Sequence, residues 1–270
     1  MEQAKGKLQS EKWTGTPGSK IRRVVAVLSG KGGVGKSSVT ALLAVALRRA
    51  GLKVGILDAD ITGPSIPQMF GVKAKPRGSE EGMLPPESRT GIKIMSLQLF
   101  LGAEDMPAIW RAPLIVGTIR RFWTDVVWGE LDILLVDLPP GTGDVPLSIM
   151  QSLPLDGVVV VSTPQKVAVG VVKKAIVMAQ KMQIPVLGLV ENMSYVTCQH
   201  CGEKIYVFGP SAGGQVAEAY GLPLLGAVPL DPLLVELADG GRVEDYENEV
   251  FAAVMEPLTE KYRTIATAEE

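Results

Sequence analysis

Cysteine and histidine are scarce in this 270-residue sequence, and the few that occur lie close together. The two cysteines are Cys198 and Cys201, and the single histidine, His200, lies between them. No apolar run approaches the roughly 20 residues that cross a bilayer, and residues 1–20 lack the apolar core of a signal peptide. We therefore expect a cytoplasmic protein without a membrane association. In that compartment a cysteine pair is more commonly a metal or redox site than a disulfide.

The sequence also lacks a strong excess of charge of either sign. It has 27 Lys and Arg against 29 Asp and Glu, a formal net charge of −2. This balance does not favour tight binding to nucleic acid or to an anionic membrane, since both select basic proteins. Hydrophobic residues make up 46% of the chain, which together with its length fits one large globular domain.

Short apolar runs alternate with longer helical patterns after residue 20. Runs that are apolar without interruption predict strands covered on both faces, and the alternation predicts an α/β fold with a mostly parallel, twisted sheet and helices on both faces. The polar residues 1–20 predict a flexible arm, and residues 21–265 a single domain. The predicted strands are residues 24–28, 54–57, 92–97, 133–136, 158–161 and 186–190, and the predicted helices are 38–50, 114–127, 167–182 and 213–220.

A glycine-rich loop follows the first predicted strand and opens the first predicted helix. Its pattern, G-x-x-x-x-G-K-S from Gly30 to Ser37, is that of a phosphate-binding loop in its confirming context. Glycines let backbone N–H groups surround phosphate, and the helix adds its positive end. We predict that Lys36 reaches the β- and γ-phosphates of ATP and that Ser37 ligates Mg²⁺. The predicted nucleotide-binding residues here are Gly30, Lys31, Gly32, Gly33, Val34, Gly35, Lys36, Ser37 and Ser38.

A second lysine, Lys31, stands directly after the first glycine of this loop. The pattern K-G-G-x-G-K-S resembles the deviant loop of the ParA, MinD and nitrogenase iron-protein superfamily. That resemblance implies that Lys31 reaches across a dimer to the partner's nucleotide, where its charge would stabilise phosphoryl transfer. The alternative is a solvated loop lysine.

Aspartates follow two of the predicted strands, where ligands of parallel sheets bind. Asp137 ends an apolar strand, as a Walker B aspartate does, and we assign it to the outer shell of Mg²⁺. Asp60 is predicted to lie in a first switch and to position the attacking water. An aspartate after a strand is also a common turn former or helix cap, and Asp58 carries no firm assignment.

The two cysteines have C-x-x-C spacing, which suits one soft metal or one face of an iron–sulfur cluster. A closed site needs about four ligands, and this chain offers two thiols. The count suggests a symmetric dimer in which each chain gives two thiolates. Zinc, a redox pair and an inert pair remain alternatives, and His200 is expected to be a solvated loop residue.

Four motifs occur in order: the phosphate loop, Asp58-Ala59-Asp60-Ile61-Thr62-Gly63-Pro64-Ser65, Asp137-Leu138-Pro139-Pro140-Gly141-Thr142-Gly143-Asp144, and Glu191-Asn192-Met193-Ser194-Tyr195 followed by C-x-x-C-G. Together they resemble the Mrp/ApbC/Nbp family of iron–sulfur cluster carrier ATPases, over residues from about 21 to 260.

The resemblance implies a homodimer with a [4Fe–4S] cluster bridged by Cys198 and Cys201 of both chains, and transfer of that cluster to apo-proteins in a way coupled to ATP. It further implies that Asn192 hydrogen-bonds adenine and that the segment containing Pro229 lines the base. Hydrolysis is expected to be slow, because closure of the switches limits it.

Two other functions fit parts of the sequence. A ParA/MinD-type partitioning ATPase would share the loop but needs a basic DNA-binding or membrane-binding face and leaves the cysteines unused. A nucleotide-gated scaffold with a zinc knuckle would use the cysteines for docking a partner.

Overall fold

The computed structural model describes residues 12–61, 63–100 and 111–268, in which strands and helices alternate as the sequence predicts. The strands are β1 (Lys20–Ser29), β2 (Val54–Asp58), β3 (Arg77–Gly78), β4 (Met83–Leu84), β5 (Lys93–Met95), β6 (Glu130–Asp137), β7 (Gly157–Ser162), β8 (Val186–Glu191), β9 (Val196–Thr197), β10 (Lys204–Ile205) and β11 (Leu224–Ala227). The helices are α1 (Lys36–Arg49), α2 (Ile66–Met69), α3 (Ala112–Thr124), α4 (Asp144–Ser152), α5 (Lys166–Lys181), α6 (Gly213–Ala219), α7 (Pro232–Asp239) and α8 (Glu249–Ala268).

Seven of these strands form one sheet in the order β11-β8-β7-β1-β6-β2-β5. Each neighbouring pair is parallel, so the prediction of a mostly parallel sheet is confirmed. Parallel strands end at one edge of a sheet, which is where such folds bind their ligands. The loops after β1, β2, β6 and β8 therefore meet at this edge. Asp58 at the end of β2 lies opposite Asp137 at the end of β6.

The central strand β1 divides the core into two layers. Val24, Ala26 and Leu28 belong to a cluster with side chains of α3, α4, α5 and α6, whereas Val25 and Val27 belong to a cluster with α1, α7 and α8. Successive side chains of a strand point to opposite faces, so a continuously apolar strand must be covered on both. Helices on both faces are thus confirmed.

The segment between α2 and α3 leaves the main sheet and returns to it once. Its strand is shorter than the predicted 92–97: β5 covers Lys93–Met95 at the edge of the sheet, and a 3-10 helix follows at Leu97–Leu99. Two small antiparallel hairpins, β3–β4 and β9–β10, lie outside the main sheet. None of the helices in the described ranges combines the length and apolar character of a bilayer span.

The described part of the expected arm, residues 12–19, packs against the domain. The Trp13 N–H donates to the carbonyl of Ser152 (2.8 Å), and the Trp13 carbonyl accepts from the indole of Trp123 (3.0 Å). Thr16 is buried and its hydroxyl donates to the carbonyl of Val126 (2.7 Å). Residues 13 and 16 therefore form hydrogen bonds with distant parts of the domain. The boundary of the arm at residue 20 stays a prediction, and residues 1–11 lie outside the described ranges.

Candidate functional site

The phosphate loop lies between β1 and α1, and its backbone requires glycine at two positions. Gly33 has φ +76° and Gly35 has φ +75°, a left-handed conformation that residues with a Cβ disfavour. Gly35 is also the N-cap of α1, so no side chain covers the first N–H groups of that helix. Those groups and the positive end of the helix dipole form an anion-binding surface.

A cleft of about 250 Å³ opens in front of this loop. Four parts of the chain form its walls: the phosphate loop, the segment that follows β2, helix α2, and the turn that follows β6. The residues that line it are Ser29, Lys31, Gly32, Gly33, Val34, Gly35, Lys36, Ser37, Ser38, Asp60, Gly63, Ser65, Met69 and Pro140. The predicted loop residues other than Gly30 therefore lie together around one cleft.

Gly30 has a different structural reason to be glycine. A Cβ at this position would lie 2.6 Å from the backbone carbonyl carbon of Val171 in α5, closer than real Cβ contacts. The glycine allows α5 to pack directly on the start of the loop. Helix packing thus gives Gly30 a structural role, and its contact with phosphate stays a prediction.

Lys36 and Asp137 form a buried ion pair at the bottom of the cleft. The Lys36 Nζ lies 2.7 Å from Asp137 Oδ2, and the two side chains are 5% and 0% exposed. The Ser37 hydroxyl donates to the same oxygen at 2.6 Å, and the Thr40 hydroxyl donates to Oδ1 at 2.7 Å. The carboxylate is therefore fully engaged, and it holds both loop side chains at the strand end.

Two further aspartates crowd this centre. Asp60 Oδ2 lies 3.5 Å from the Lys36 Nζ. Asp58 is 1% exposed and accepts from the Ser96 hydroxyl at 2.9 Å. Burial and then the charge of Asp137 raise the pKa of Asp58 to about 8, against the lowering effect of the Ser96 hydrogen bond.

The donor set at this centre fits Mg²⁺, which prefers hard oxygen ligands. The Ser37 hydroxyl would hold the ion, with the Asp137 carboxylate behind it. When bound, the ion would neutralise charge on the β- and γ-phosphates. Asp60 also lines the cleft, and its role in orienting the attacking water stays a prediction.

Lys31 is half-buried at the rim of the cleft and has a partner within its own chain. Its Nζ donates to the side-chain oxygen of Gln165 at 2.5 Å, and Gln165 is the N-cap of α5. A solvated loop lysine would have no such fixed partner. The interaction across a dimer stays a prediction, and it would require Lys31 to leave Gln165.

Asn192 follows β8 and lies against the phosphate loop. Its side-chain Nδ2 donates to the Val34 carbonyl at 2.9 Å, and the residue is 5% exposed. Pro229 is buried just beyond β11. The contacts of both residues with adenine stay predictions.

The two cysteines lie in the turn of the β9–β10 hairpin. The Cys198 N–H donates to the Glu203 carbonyl and the Gly202 N–H donates to the Cys198 carbonyl, both at 2.9 Å. Gly202 has φ +74°, which lets the chain turn back. Cys198 is half-buried and Cys201 exposed, and both thiols are free.

Hydrogen-bond donors converge on the Cys198 sulfur. The N–H of Cys201, then that of His200, and then the Cys201 thiol lower the pKa of Cys198 below its usual value. The Cys201 thiol thus lies within hydrogen-bonding reach of the Cys198 sulfur. His200 is exposed, and in the described part of the chain no three His, Cys, Asp or Glu side chains cluster to hold a metal.

Two residues of this region carry contacts that sequence reasoning missed. Thr40 follows Ser37 by three positions and therefore lies on the same face of α1, which was the available signal. Glu191 ends β8 and is 1% exposed; its Oε2 accepts from the N–H groups of Ala212 (3.0 Å) and Gly213 (2.6 Å). An acidic residue at a strand end was the signal for Glu191.

A glycine-rich loop between a parallel strand and a helix, with a lysine and serine bound to the aspartate of a neighbouring strand, defines a P-loop ATPase. The family model described as the NUBPL iron-transfer P-loop NTPase, of ParA type, matches residues 20–267, and the chain belongs to this family.

Individual relatives agree with this assignment. The iron–sulfur cluster carrier protein of Clostridium perfringens is 44% identical over 254 residues, which are 90% of this chain and 89% of that protein. The protein of the same name from Methanocaldococcus jannaschii is 46% identical over 249 residues, 90% of this chain and 86% of that protein. A nucleotide-binding protein of Archaeoglobus fulgidus, solved in complex with ADP, is 50% identical with a TM-score of 0.77, covering 86% of this chain and 91% of that one.

Proposed function

We propose that this protein is an ATP-dependent carrier whose cargo is a [4Fe–4S] cluster, held between two copies of the chain and passed to apo-proteins. The observation that carries the proposal is the hairpin turn with Cys198 and Cys201. Both thiols are free, Cys201 is exposed and Cys198 half-buried, and the Cys201 thiol lies within hydrogen-bonding reach of the Cys198 sulfur. A carrier needs such access, because an acceptor must approach the cluster to take it.

Ligand count supports a cargo shared by two chains. A [4Fe–4S] cluster takes about four thiolates, and each chain has two cysteines. In the described ranges no further His, Cys, Asp or Glu group completes a site. Two chains related by a two-fold axis supply two thiolates each, so the dimer completes a site that one chain leaves half-built.

The nucleotide half of the proposal assigns a task to each side chain of the cleft. Lys36 binds the β- and γ-phosphates, Asp60 orients water, and Asp137 holds Ser37 for the magnesium ion. Lys31 reaches the nucleotide of the partner chain. Asn192 forms a hydrogen bond with the adenine, and Pro229 lines the base. Turnover is slow because closure of the switches limits it. We propose that the protein acts in the cytoplasm.

The test is anaerobic reconstitution with iron and sulfide, followed by absorbance spectroscopy and metal counting. We expect about four irons per two chains, loss of the cluster in Cys198→Ala, and retention in His200→Ala. His200 is the matched control because it lies in the same turn. Transfer is then followed as activation of an apo-protein in the presence and absence of ATP.

A zinc knuckle is the second candidate, because the C-x-x-C-G turn with Gly202 at φ +74° also suits zinc. One tightly held zinc per site that iron cannot replace would exclude the carrier. Absence of any bound metal, combined with nucleotide-dependent binding to DNA, would instead favour a partitioning ATPase.

A further inference from the structure

The four-residue turn from Glu191 to Ser194 lies between the phosphate loop and the cysteine hairpin. It begins where β8 ends, and β9 begins two residues after it at Val196. Cys198 therefore follows the turn by four residues. We refer to these residues as the 191–194 turn.

On one side the turn contacts the phosphate loop through Asn192. The Asn192 Nδ2 donates to the Val34 carbonyl at 2.9 Å, within the loop. A Cβ on Gly35 would come 2.1 Å from the same Nδ2, so the loop and the amide fit closely. A shift of the loop backbone at these residues must therefore displace Asn192 or break its hydrogen bond.

On the other side the turn holds the base of the segment that carries the cysteines. The Glu191 carboxylate accepts from the N–H groups of Ala212 and Gly213, and the Ser194 hydroxyl donates to its Oε1 at 2.9 Å. These contacts join the two ends of residues 195–212. The turn and both ends of the segment that carries the hairpin are thus joined in one hydrogen-bonded unit.

The centre of the turn has an unfavourable backbone conformation. Met193 has φ +56°, which a residue with a side chain disfavours. It is held by its own N–H, which donates to Asn192 Oδ1 at 2.9 Å, and by the Ser194 N–H, which donates to the Val228 carbonyl at 2.9 Å. Backbone strain maintained by surrounding contacts is typical of switch regions.

Phosphate binding changes the contacts that position the loop. Lys36 and Ser37 are both bonded to Asp137. Phosphate oxygens compete for the Lys36 ammonium and for the first N–H groups of α1, two residues from the Val34 carbonyl. The loop is therefore the element through which the nucleotide acts on Asn192.

We propose that Asn192 is a positioning residue that links the phosphate loop to the cysteine hairpin, so that bound nucleotide orders the hairpin. This link rests on the proposed function, since it supplies the connection between ATP and the cargo. It assigns the buried amide of Asn192 to the loop backbone in addition to any contact with the base.

The test is hydrogen exchange of the hairpin amides, including those of Cys198 and Gly202, with and without saturating Mg-ADP. In the wild type we expect nucleotide to slow exchange about fivefold or more, the lower end of typical coupling between sites. In Asn192→Ala we expect less than about a twofold response at saturation. Nucleotide occupancy is checked by titration, so that weaker binding is not mistaken for lost coupling.

A second variant keeps the test valid if Asn192→Ala does not fold. Met193→Gly relieves the strain in the turn, because glycine adopts a φ of +56° readily. This variant should also show a diminished effect of nucleotide on hairpin exchange. Gln183→Gly is the matched control, because Gln183 has φ +59° in the connection before β8 and should keep the full response. An unchanged hairpin in nucleotide-saturated wild type, or a full response in Asn192→Ala, would overturn the link.

The outcomes separate this inference from the carrier function. Cluster assembly without a nucleotide effect on the hairpin would refute the link and leave the carrier. A nucleotide effect in a protein that assembles no cluster would refute the carrier and leave the link.

Discussion

The Thr40 hydroxyl binds Asp137 Oδ1 at 2.7 Å, while Lys36 and Ser37 bind Oδ2 of the same carboxylate. In the proposed function, nucleotide and magnesium draw Lys36 and Ser37 toward phosphate, but they offer nothing to Thr40, which is fully buried. We therefore expect the Thr40 contact to persist when the other two rearrange and to fix the direction in which Asp137 presents Oδ2.

Replacing Thr40 by valine should weaken magnesium binding. Thr40→Val keeps the shape but removes a hydrogen bond to a buried carboxylate, a loss of about 1–2 kcal/mol. Magnesium should strengthen nucleotide binding, and we expect the magnesium concentration that gives half of this effect to increase roughly fivefold or more. Titration of a fluorescent nucleotide at several magnesium concentrations measures it.

Thr259→Val is the matched control for this change. Thr259 is also a buried helix threonine, but its hydroxyl donates to the Met255 carbonyl one turn earlier in α8, away from the cleft. Equal magnesium dependence in Thr40→Val and wild type would show that Asp137 is positioned without Thr40.

Removing Lys31 should lower turnover more than nucleotide affinity. If Lys31 stabilises charge in the partner's site, Lys31→Ala should reduce the rate of ATP hydrolysis about tenfold or more with a nearly unchanged dissociation constant. Lys36→Ala should instead weaken nucleotide binding itself. The two constants come from steady-state hydrolysis and equilibrium titration.

Gln165→Ala is the control for Lys31, because it removes the 2.5 Å contact within the chain and leaves the lysine in place. It should not lower turnover. If Gln165→Ala reproduces the loss seen in Lys31→Ala, the lysine acts through its own chain, and the role across the dimer is wrong.

The elements that the sequence predicted are those whose signals are local. Continuous apolar runs marked the central strands because both faces of the sheet are covered, and the glycine and lysine spacing marked the phosphate loop because its backbone conformation is set within eight residues. Asp137 could be found for the same reason, at the end of an apolar run.

The contacts that the sequence missed join residues far apart in the chain. Gln165 is 134 positions from Lys31, and Val126 is 110 positions from Thr16. The packing of α5 on Gly30 and the burial of Thr16 depend on such pairs. No periodicity or spacing encodes them, because they arise only when the sheet brings its helices and strand ends together.

Asp58 should make folding stability depend on pH. Its pKa rises from 3.8 to about 8 in the folded protein, so the folded form keeps a proton that the unfolded form has released. This contribution to stability is complete below about pH 4 and is lost as pH rises toward about 8. The slope between these values is up to about 1.4 kcal/mol per pH unit.

Asp58→Asn should remove this slope. The comparison is made in magnesium-free buffer without nucleotide. The free energy of unfolding of the variant minus that of wild type should increase as pH rises from about 4 to about 8, and should stay constant above about pH 8. Denaturant titrations at several pH values measure the difference. Asp144→Asn, at an exposed position, controls for the loss of one charge. Parallel curves for Asp58→Asn and wild type would contradict the prediction.

Glu191 should determine whether the cysteine hairpin is held at its base. Its carboxylate accepts from two backbone N–H groups and the Ser194 hydroxyl, and it is 1% exposed. Glu191→Gln keeps the size but turns one acceptor into a donor, which faces another donor. Leaving buried donors without acceptors costs about 1–3 kcal/mol, so the melting temperature should fall by roughly 2–10 °C.

The loss of stability in Glu191→Gln should be greatest in residues 195–212, because the hydrogen bonds to Ala212 and Gly213 join the ends of that segment. Limited proteolysis should cleave there faster than in wild type, while cleavage elsewhere changes less. Glu203→Gln is the control, since Glu203 lies in the same hairpin with an exposed side chain. If Glu191→Gln and Glu203→Gln melt and cleave alike, the hairpin is held by the β9–β10 pairing and its own turn, and Glu191 serves only the end of β8.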